Sequence, residues 1–267
     1  MKIAFLGDIS LNDDYIKLYN NGENPFEEIE TYLKTQDLVV GNLECMSMGN
    51  KGENVLKSTY LRTTSDTLNY LKKLNLKIAT LANNHVYDNL ESGFEITTNF
   101  LKENDIKYVG AFLKSDTYST KILENEEIII LNYVHLDTNP SLPNEANIHV
   151  NIYNKEKIIN ELKVQKNKNK FIVLILHWGL DNSRFPIPWQ RTDAKDFINE
   201  GADLIVGHHS HVLQGYEIFK GKYVFYGLGN FAFSRHFNNG KYYEFGKRQR
   251  SSIIVNLDIQ QSKKVVS

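Results

Sequence analysis

A chain of 267 residues can bury a sizeable core, and its length favours one large domain, residues 1–267, over two small ones. The formal charge of −1, from 31 basic and 32 acidic residues, gives no overall attraction to nucleic acid or to an anionic membrane. The single cysteine, Cys45, excludes an internal disulfide and a cysteine-based zinc site, and favours a reducing, cytoplasmic compartment. No apolar run reaches the roughly 18 residues of a membrane span, and we expect no secretion signal.

Short apolar runs alternate with helix-patterned segments, which is typical of a layered α/β domain. The runs predicted to be buried strands are Ile3–Leu6, Leu38–Val40, Ile78–Leu81, Tyr108–Val109, Ile128–Leu131, Phe171–Leu176 and Leu204–Val206. Helices are predicted over Pro25–Leu33, Asp66–Leu74, Leu90–Asn104, Lys155–Val164 and Asp193–Asn199. Loops are predicted over Gly49–Ser58 and Leu136–Asn147, and antiparallel strands within Tyr223–Tyr226, Asn230–Phe233 and Ser252–Leu257. The sheet is therefore expected to be mixed.

Polar clusters follow directly after five of the predicted strands. They are Gly7-Asp8, Gly41-Asn42-Leu43-Glu44, Ala82-Asn83-Asn84-His85 with Asp88, His177-Trp178-Gly179 and Gly207-His208-His209-Ser210-His211. Ligands of open α/β sheets bind beyond the carboxyl ends of strands, so we expect these clusters to converge on one crevice. Carboxylate, amide and imidazole donors together suit a transition metal better than calcium.

Each cluster alone also has a structural interpretation, as a turn, a helix cap or a core histidine. The histidine-rich cluster is the hardest to explain that way, because three imidazoles within four residues are costly to desolvate without partners. In an extended segment, side chains alternate between faces, which puts His209 and His211 together and His208 opposite. We therefore expect His209 and His211 to be ligands and His208 to be structural.

In chain order, the motifs Gly-Asp, Asn-Leu-Glu, Ala-Asn-Asn-His-x-x-Asp, His-Trp-Gly, Gly-His-His-Ser-His-Val-Leu-Gln and Tyr-Gly-Leu-Gly-Asn-Phe resemble those of the CapA capsule-synthesis family. Its members are also described as poly-γ-glutamate biosynthesis proteins, and the resemblance covers nearly the whole chain. The family is similar in fold to calcineurin-like metallophosphoesterases. The resemblance thus implies a four-layer α/β/β/α sandwich with mixed sheets, of the metallo-dependent phosphatase type, and a site for one or two divalent ions (Mn, Fe or Zn).

The resemblance also implies roles for individual residues. Asp8 is expected to be the first-strand carboxylate ligand, and Glu44 to bridge two ions. One ion would be completed by Asn84, His177 and His209, and the other by His211. His85 is expected to stabilise or protonate the leaving group, with Asp88 orienting it. The candidates for contact with an anionic substrate are Asn42, Asn83, Asp181, Arg184 and Arg191.

The chain departs from the family pattern at three positions. Ser10 stands where Asp-x-His would have a histidine, so one ion site is expected to be weak. Asp181 replaces an expected glutamate, and Asn12 lies near the position of an expected arginine. Many relatives carry a membrane anchor or an export signal, and we expect neither in this sequence. An extracellular role is therefore not expected.

Three functions are compatible with the sequence. The first is a metal-dependent phosphoesterase acting on an intermediate of capsule or other cell-surface polymer synthesis. The second is amide hydrolysis or transfer on a γ-linked glutamyl polymer, because metal-activated water attacks either centre. The third is a non-enzymatic scaffold in capsule assembly, which the Ser10 departure favours. The expected partner is a small or polymeric anionic substrate rather than nucleic acid, and the oligomeric state is not predicted.

Overall fold

The computed structural model describes residues 1–115, 122–125, 127–238, 241–260 and 263–267. Its strands are β1 (Lys2–Ser10), β2 (Leu38–Leu43), β3 (Met46–Ser47), β4 (Arg62–Thr63), β5 (Ile78–Thr80), β6 (Lys107–Val109), β7 (Ala111–Leu113), β8 (Ile122–Glu124), β9 (Ile128–Val134), β10 (Ile148–Val150), β11 (Phe171–His177), β12 (Leu204–His208), β13 (Tyr216–Phe219), β14 (Lys222–Phe225), β15 (Asn230–Phe233), β16 (His236–Asn238), β17 (Lys241–Tyr243), β18 (Val255–Gln260) and β19 (Lys263–Val266). Its α-helices are α1 (Asp14–Asn20), α2 (Glu27–Leu33), α3 (Tyr70–Lys73), α4 (Leu90–Glu103), α5 (Lys155–Lys166) and α6 (Pro188–Glu200). Short 3₁₀ turns cover Thr67–Asn69 and Leu136–Thr138.

Two mixed sheets form the centre of the fold. The first has the strand order β19-β18-β1-β2-β5-β6, in which β1, β2, β5 and β6 are parallel and β18 is antiparallel to both neighbours. Strand β15 adds to the end of β1 in parallel, with Asp8 opposite Asn230. The second sheet has the order β13-β14-β12-β11-β9-β8, with a parallel centre and antiparallel edges.

The two sheets pack face to face. Side chains that are neighbours along a strand point to opposite faces of its sheet, so one face of each sheet is free to pack against the other sheet. In β1, Ile3 and Phe5 point into the core between the sheets, where they join Val173 of β11 and Val206 of β12. The alternate β1 residue, Leu6, packs on the other face with the helical layer.

Helices cover the outer face of each sheet. The first sheet packs against buried residues of the α2, α3 and α4 regions, including Leu33, Leu71 and Phe94. The second sheet packs against α5 and α6 through Leu162 and Phe197. The order of layers is therefore helix, sheet, sheet, helix, and the expected four-layer α/β/β/α sandwich with mixed sheets is confirmed.

Some predicted details of the fold were wrong. The segment Asn230–Phe233 was expected to be antiparallel, but β15 runs parallel to β1. Strand β18, within the Ser252–Leu257 prediction, is antiparallel to β1 as expected, and β14 is antiparallel to β13 but parallel to β12. In the β13–β14 hairpin, β13 runs antiparallel to the central strands, so β14 returns parallel to β12. The last helix begins at Pro188 rather than Asp193, and the proline stands in its first turn. Helix α1 was not anticipated.

Gly207 lies at a point where β12 closely approaches the chain that follows β14. A Cβ atom on Gly207 would lie 1.9 Å from the carbonyl oxygen of Tyr226. That carbonyl accepts a 3.1 Å hydrogen bond from the indole of Trp178, which fixes its position. Only glycine leaves room for this approach, directly before the histidine cluster.

We expect Gly207→Ala to lower the free energy of unfolding by about 1–3 kcal/mol or more, because the added methyl meets backbone that cannot yield. Gly215→Ala is the matched control, since a Cβ there has no heavy atom of the described residues within 4 Å. The control should change the unfolding free energy by less than about 0.5 kcal/mol. Urea denaturation measures both, and equal effects of the two variants would contradict the packing argument.

Candidate metal centre

The carboxyl ends of strands from both sheets meet at one buried polar centre. A direct link between the sheets is the 2.8 Å hydrogen bond between Asp8 Oδ1, at the end of β1, and His208 Nδ1, at the end of β12. Around this link lie the six side chains predicted to be ligands, namely Asp8, Glu44, Asn84, His177, His209 and His211. The fold thus brings all six together, although they span most of the sequence.

The titratable side chains among these six form two groups with metal-ligand spacing. Glu44, His177 and His209 each offer a donor atom, and these atoms lie within 4.8 Å of one another. Asp8, Glu44 and His211 form a second group, whose donor atoms also lie within 4.8 Å of one another. Glu44 Oε1 lies 3.7 Å from His177 Nε2 and 3.6 Å from His211 Nε2, so it is common to both groups. This is the arrangement that a bridging carboxylate would have.

The hydrogen bonding of the centre tests whether a metal ion fits. Asp8 Oδ2, Glu44 Oε1 and His209 Nδ1 are buried without a hydrogen-bond partner among the described residues. Leaving three such atoms unsatisfied is unfavourable, by about 1–3 kcal/mol each, unless another group binds them. Carboxylate and imidazole donors together are typical ligands of divalent Mn, Fe and Zn. The residues present therefore fit one or two such ions.

The two carboxyl groups differ in how readily they ionise. Burial raises the pKa of Asp8, but the hydrogen bond and charge of His208, and the charge of His211, outweigh burial and bring it below its usual range. Burial and the negative charge of Asp8 raise the pKa of Glu44 well above its usual range. Two carboxylates this close resist being ionised together unless a cation lies between them. A divalent cation between them would favour the ionised form of both.

The imidazoles also differ in charge. Burial lowers the pKa of His177 well below its usual range, and neighbouring imidazoles add to the effect. Burial and the charge of His211 lower the pKa of His209 to about 3. For His211, burial opposes protonation, but Glu44 and Asp8 outweigh it and raise the pKa to about 9. Near neutral pH, His177 and His209 therefore have lone pairs ready for a metal, whereas His211 carries a proton that a bound ion would displace.

Neutral side chains behind the carboxylates hold them in place. Asn42 Nδ2 donates to Asp8 Oδ1 at 2.9 Å and to Glu44 Oε2 at 3.3 Å. Asn83 donates to the carbonyl of Leu43 at 2.8 Å and to Asn42 Oδ1 at 3.3 Å. Asn42 and Asn83 are 1% and 0% exposed. Their geometry therefore favours positioning of the ligands over the predicted contact with substrate.

The histidine cluster adopts a turn rather than the expected extended segment. Strand β12 ends at His208, and His209 and His211 have positive φ values of 88° and 54°. The alternation argument that grouped His209 with His211 was therefore wrong, although both side chains reach the centre. His208 supports Asp8, and Asn230 Oδ1 forms a 2.8 Å hydrogen bond with His211 Nδ1. Positive φ in non-glycine residues costs free energy, and such strain is often found at functional sites.

The candidate acid–base residue belongs to a second buried cluster at the edge of the centre. His85 Nδ1 lies 2.6 Å from Asp88 Oδ2, and the other oxygen of Asp88 forms a 3.0 Å ion pair with Lys57. Lys57 also donates to the carbonyl of Asn84 at 2.5 Å. Sequence reasoning missed Lys57, because it lies in a loop without periodicity. It joins the loop at residues 49–58 to the Asn84-His85 motif.

A cleft of about 460 Å³ opens over the centre. His85, His209 and His211 line it together with Lys57 and Asp181. Asp181 thus lies where contact with substrate was predicted.

Two of the predicted substrate contacts lie elsewhere. Arg184 and Arg191 line a neighbouring cleft of about 620 Å³ and not the cleft over the imidazoles. Arg191 forms an ion pair with Glu217. Direct contact of these two arginines with a group at the metal centre is therefore not favoured by their position.

The departures from the family pattern at the end of β1 have structural partners. Ser10 is fully buried, and its hydroxyl donates to Asn12 Oδ1 at 2.7 Å. Asn12 Nδ2 in turn donates to Asp13 at 2.8 Å. The group of Asp8, Glu44 and His211 has three titratable donors, as does the group of Glu44, His177 and His209, so the weaker binding expected at the first group stays a prediction.

A four-layer sandwich with carboxylate, amide and imidazole side chains at its strand ends defines a metallophosphoesterase-like protein. The sequence profile of the family described as "Bacterial capsule synthesis protein PGA_cap" matches residues 2–235, and the chain belongs to this family. The family is part of the metallophosphoesterase-like superfamily. The resemblance to the CapA family is thereby confirmed.

Two Bacillus proteins are similar to the chain over most of its length. The capsule biosynthesis protein CapA of Bacillus anthracis is 27% identical over 247 residues, which are 88% of this chain and 60% of that protein. The PGA biosynthesis protein CapA of Bacillus subtilis (strain 168) is 27% identical over 242 residues, 88% of this chain and 64% of that protein. The chain thus spans about three fifths of the length of these relatives.

Solved structures show the same fold. A hypothetical protein from Thermus thermophilus superposes with a TM-score of 0.55 at 13% identity, covering 100% of this chain and 97% of that one. The sulfate thiohydrolase SoxB of Thermus thermophilus, in complex with glycerol, gives a TM-score of 0.50 at 10% identity, covering 95% of this chain and 44% of that one. At these identities the likeness concerns the fold alone.

Within the residues that the structure describes, no helix has both the length and the apolar character needed to cross a lipid bilayer.

If Glu44 bridges two ions, its loss should weaken both ion sites, whereas loss of a terminal ligand should weaken one. We expect Glu44→Gln to lower the affinity of metal-stripped protein for every Mn ion it binds, and His209→Ala to affect one ion only. The loss should be at least about 100-fold, since removing an outer hydrogen-bond partner alone lowers affinity 10–100-fold. Isothermal titration calorimetry measures both, with His149→Ala as a control histidine outside the centre. An unchanged tight site in Glu44→Gln would refute the bridging role.

The Lys57–Asp88 ion pair should stabilise the fold as well as the site, because the side chains are only 6% and 0% exposed. We expect Lys57→Met to lower the free energy of unfolding by about 3–5 kcal/mol, since it leaves the Asp88 carboxylate buried without its cation. The double variant Lys57→Met/Asp88→Asn should recover part of this loss. Urea unfolding of the two single variants and the double variant measures the coupling. Additive effects would show that the pair does not interact.

Proposed function

We propose that this chain is a metal-dependent phosphoesterase that acts on an anionic intermediate of capsule or other cell-surface polymer formation. The observation that carries the proposal is the pair of ligand groups that share Glu44, with His85 beside them in one open cleft. Membership of the capsule synthesis family and the names of the two Bacillus relatives support the biological setting. A cytoplasmic location and the absence of a nucleic-acid partner stay predictions from composition.

The side chains of the centre have distinct tasks in this proposal. Asp8, Glu44 and His211 would hold one divalent ion, and Glu44, Asn84, His177 and His209 the other. When bound, such ions supply Lewis-acid activation of the phosphoryl group and of the attacking water. Asn42 and His208 keep the carboxylates oriented through their hydrogen bonds, so that little reorganisation is needed when substrate enters.

His85 is the candidate for proton transfer to the leaving group. A proton on Nδ1 donates to Asp88, which fixes the ring and leaves Nε2 as the nitrogen available to a substrate. Burial, reinforced by the charge of Lys57, outweighs the effect of Asp88 and lowers the pKa of His85 to about 4. A phosphoryl dianion beside the ring adds negative charge and so favours its protonated form. Substrate binding would thereby prepare His85 to donate a proton to the leaving oxygen.

A second candidate function is hydrolysis or transfer at a γ-glutamyl amide bond. The name of the Bacillus subtilis relative, a PGA biosynthesis protein, favours it. The same ligands and the same imidazole would serve, because both reactions need an activated water as the attacking group and a proton for the leaving group. The substrate therefore distinguishes the two candidates.

The test separates proton transfer from metal binding. Mn-loaded protein is screened against phosphomonoesters, phosphodiesters and a γ-linked glutamyl peptide. We expect His85→Asn to lower kcat on the preferred phosphoester by about 10²–10⁴-fold, the usual contribution of general acid–base catalysis, while metal content is kept. His209→Ala should lose metal as well as activity. Turnover of the peptide alone would favour the amide function, and no turnover of any substrate by loaded protein would favour a scaffold.

A further inference from the structure

The surface next to the metal cleft carries two further clefts that share residues. One, of about 250 Å³, is lined by Arg184, Val212, Lys247, Arg248 and neighbouring residues. The other is the cleft of about 620 Å³, which shares Arg184 and Leu213 with the first. Because they share these residues, the two clefts adjoin. The larger is lined by apolar and aromatic side chains together with the Arg191–Glu217 ion pair, and the smaller by three cations.

The cations of the smaller cleft are exposed and available. Arg184, Lys247 and Arg248, which we call the cationic collar, are exposed and form no ion pair among the residues that the structure describes. By contrast, Arg191 is paired with Glu217 and Arg235 with Asp14. The whole chain is close to neutral, so three cations without ion pairs that line one small cleft give this face a local positive charge.

Short connections tie the collar to the metal centre. His211 lines the metal cleft, and the next residue, Val212, lines the collar cleft. Asn230, which bonds His211, also donates to the carbonyl of Gln249 at 2.9 Å, next to Arg248. The Gln249 side chain donates to Asn182 at 2.9 Å, and Asn182 lines the metal cleft. The collar is therefore anchored to the edge of the metal cleft.

We propose that the cationic collar is a subsite for a linear polyanion, which binds a negative group remote from the bond at the metal centre. Guanidinium groups bind carboxylate and phosphate oxygens in paired hydrogen bonds, and the apolar side chains of the adjoining cleft accept the backbone of such a chain. This subsite selects extended anionic substrates over small ones. The inference rests on the proposed function only in taking the neighbouring cleft as the active site.

Binding is tested without turnover, using the full chain stripped of metal. The probes are a fluorescein-labelled γ-linked glutamate oligomer and a labelled polyphosphate of similar length, which separate carboxylate from phosphate chemistry. The test variant is Arg184→Gln/Lys247→Gln/Arg248→Gln. The control is Lys73→Gln/Lys77→Gln/Lys107→Gln, which removes the same charge. These lysines lie near the amino-terminal ends of β5 and β6, whereas the metal centre lies at the carboxyl ends of the strands. Fluorescence anisotropy gives Kd at low and at physiological salt.

We expect the collar variant to bind at least one probe roughly tenfold more weakly, since three exposed ion pairs each contribute modestly, while the control changes Kd less than about twofold. Its binding should also depend less on salt. Loss with one probe only would support the subsite and assign its chemistry. Equal loss in both variants, or no binding of either probe by the wild type, would overturn it. Reversal at one exposed position, Arg248→Glu, repeats the test with a single change.

Because the assay needs neither metal nor catalysis, its outcome is independent of the hydrolase test. A chain that binds the polyanion through the collar but turns over no phosphoester would leave the subsite standing and the proposed chemistry refuted. Unfolding midpoints of the variants are measured alongside, so that a weakened fold is not taken for a weakened site.

Discussion

The feature on which the centre depends is the burial of two carboxyl groups, Asp8 and Glu44, in one small volume. Both are fully buried, and each makes ionisation of the other less favourable. The surrounding residues reduce this repulsion. His208 and His211 add positive charge near Asp8, and Asn42 donates to both carboxylates. The remaining unpaired oxygens are those that a divalent cation would bind.

The architecture makes this concentration of polar groups possible. Parallel strands of both sheets end on the same side, so short segments after β1, β2, β5, β11 and β12 converge without long loops. The interior between the sheets is apolar and rigid, which holds the strand ends in fixed positions. At the centre, strained backbone lies in the turn after β12, where His209 and His211 adopt positive φ. Such strain persists only where surrounding structure enforces it.

The site has an inner part devoted to chemistry and an outer part suited to selection. The inner part contains buried imidazoles and carboxylates whose charges depend on one another. The outer part differs, because its exposed cations are unpaired among the described residues and meet solvent. Proteins of one fold often differ in this way, since the scaffold fixes the reactive groups and the loops determine what reaches them.

Tertiary structure decided what depends on residues distant in sequence, whereas local sequence was sufficient for much of the fold. The apolar runs and helical spacing identified the central strands and α4 and α5 correctly, because burial of one face imposes its period on the sequence. The placing of polar clusters after strands, together with the family motifs, identified the six candidate ligands.

By contrast, the ion pair of Lys57 with Asp88, the support of Asp8 by His208 and the anchoring of the collar by Asn230 each join separate segments, and no local pattern encodes them. The parallel direction of β15 depended on its pairing with the distant strand β1, and the approach of His209 and His211 to the centre on a strained turn. The sequence by itself therefore determined which side chains are available for the chemistry. Packing of the two sheets determined their distances, their charges and their partners, because these quantities arise only when distant segments share one low-dielectric interior.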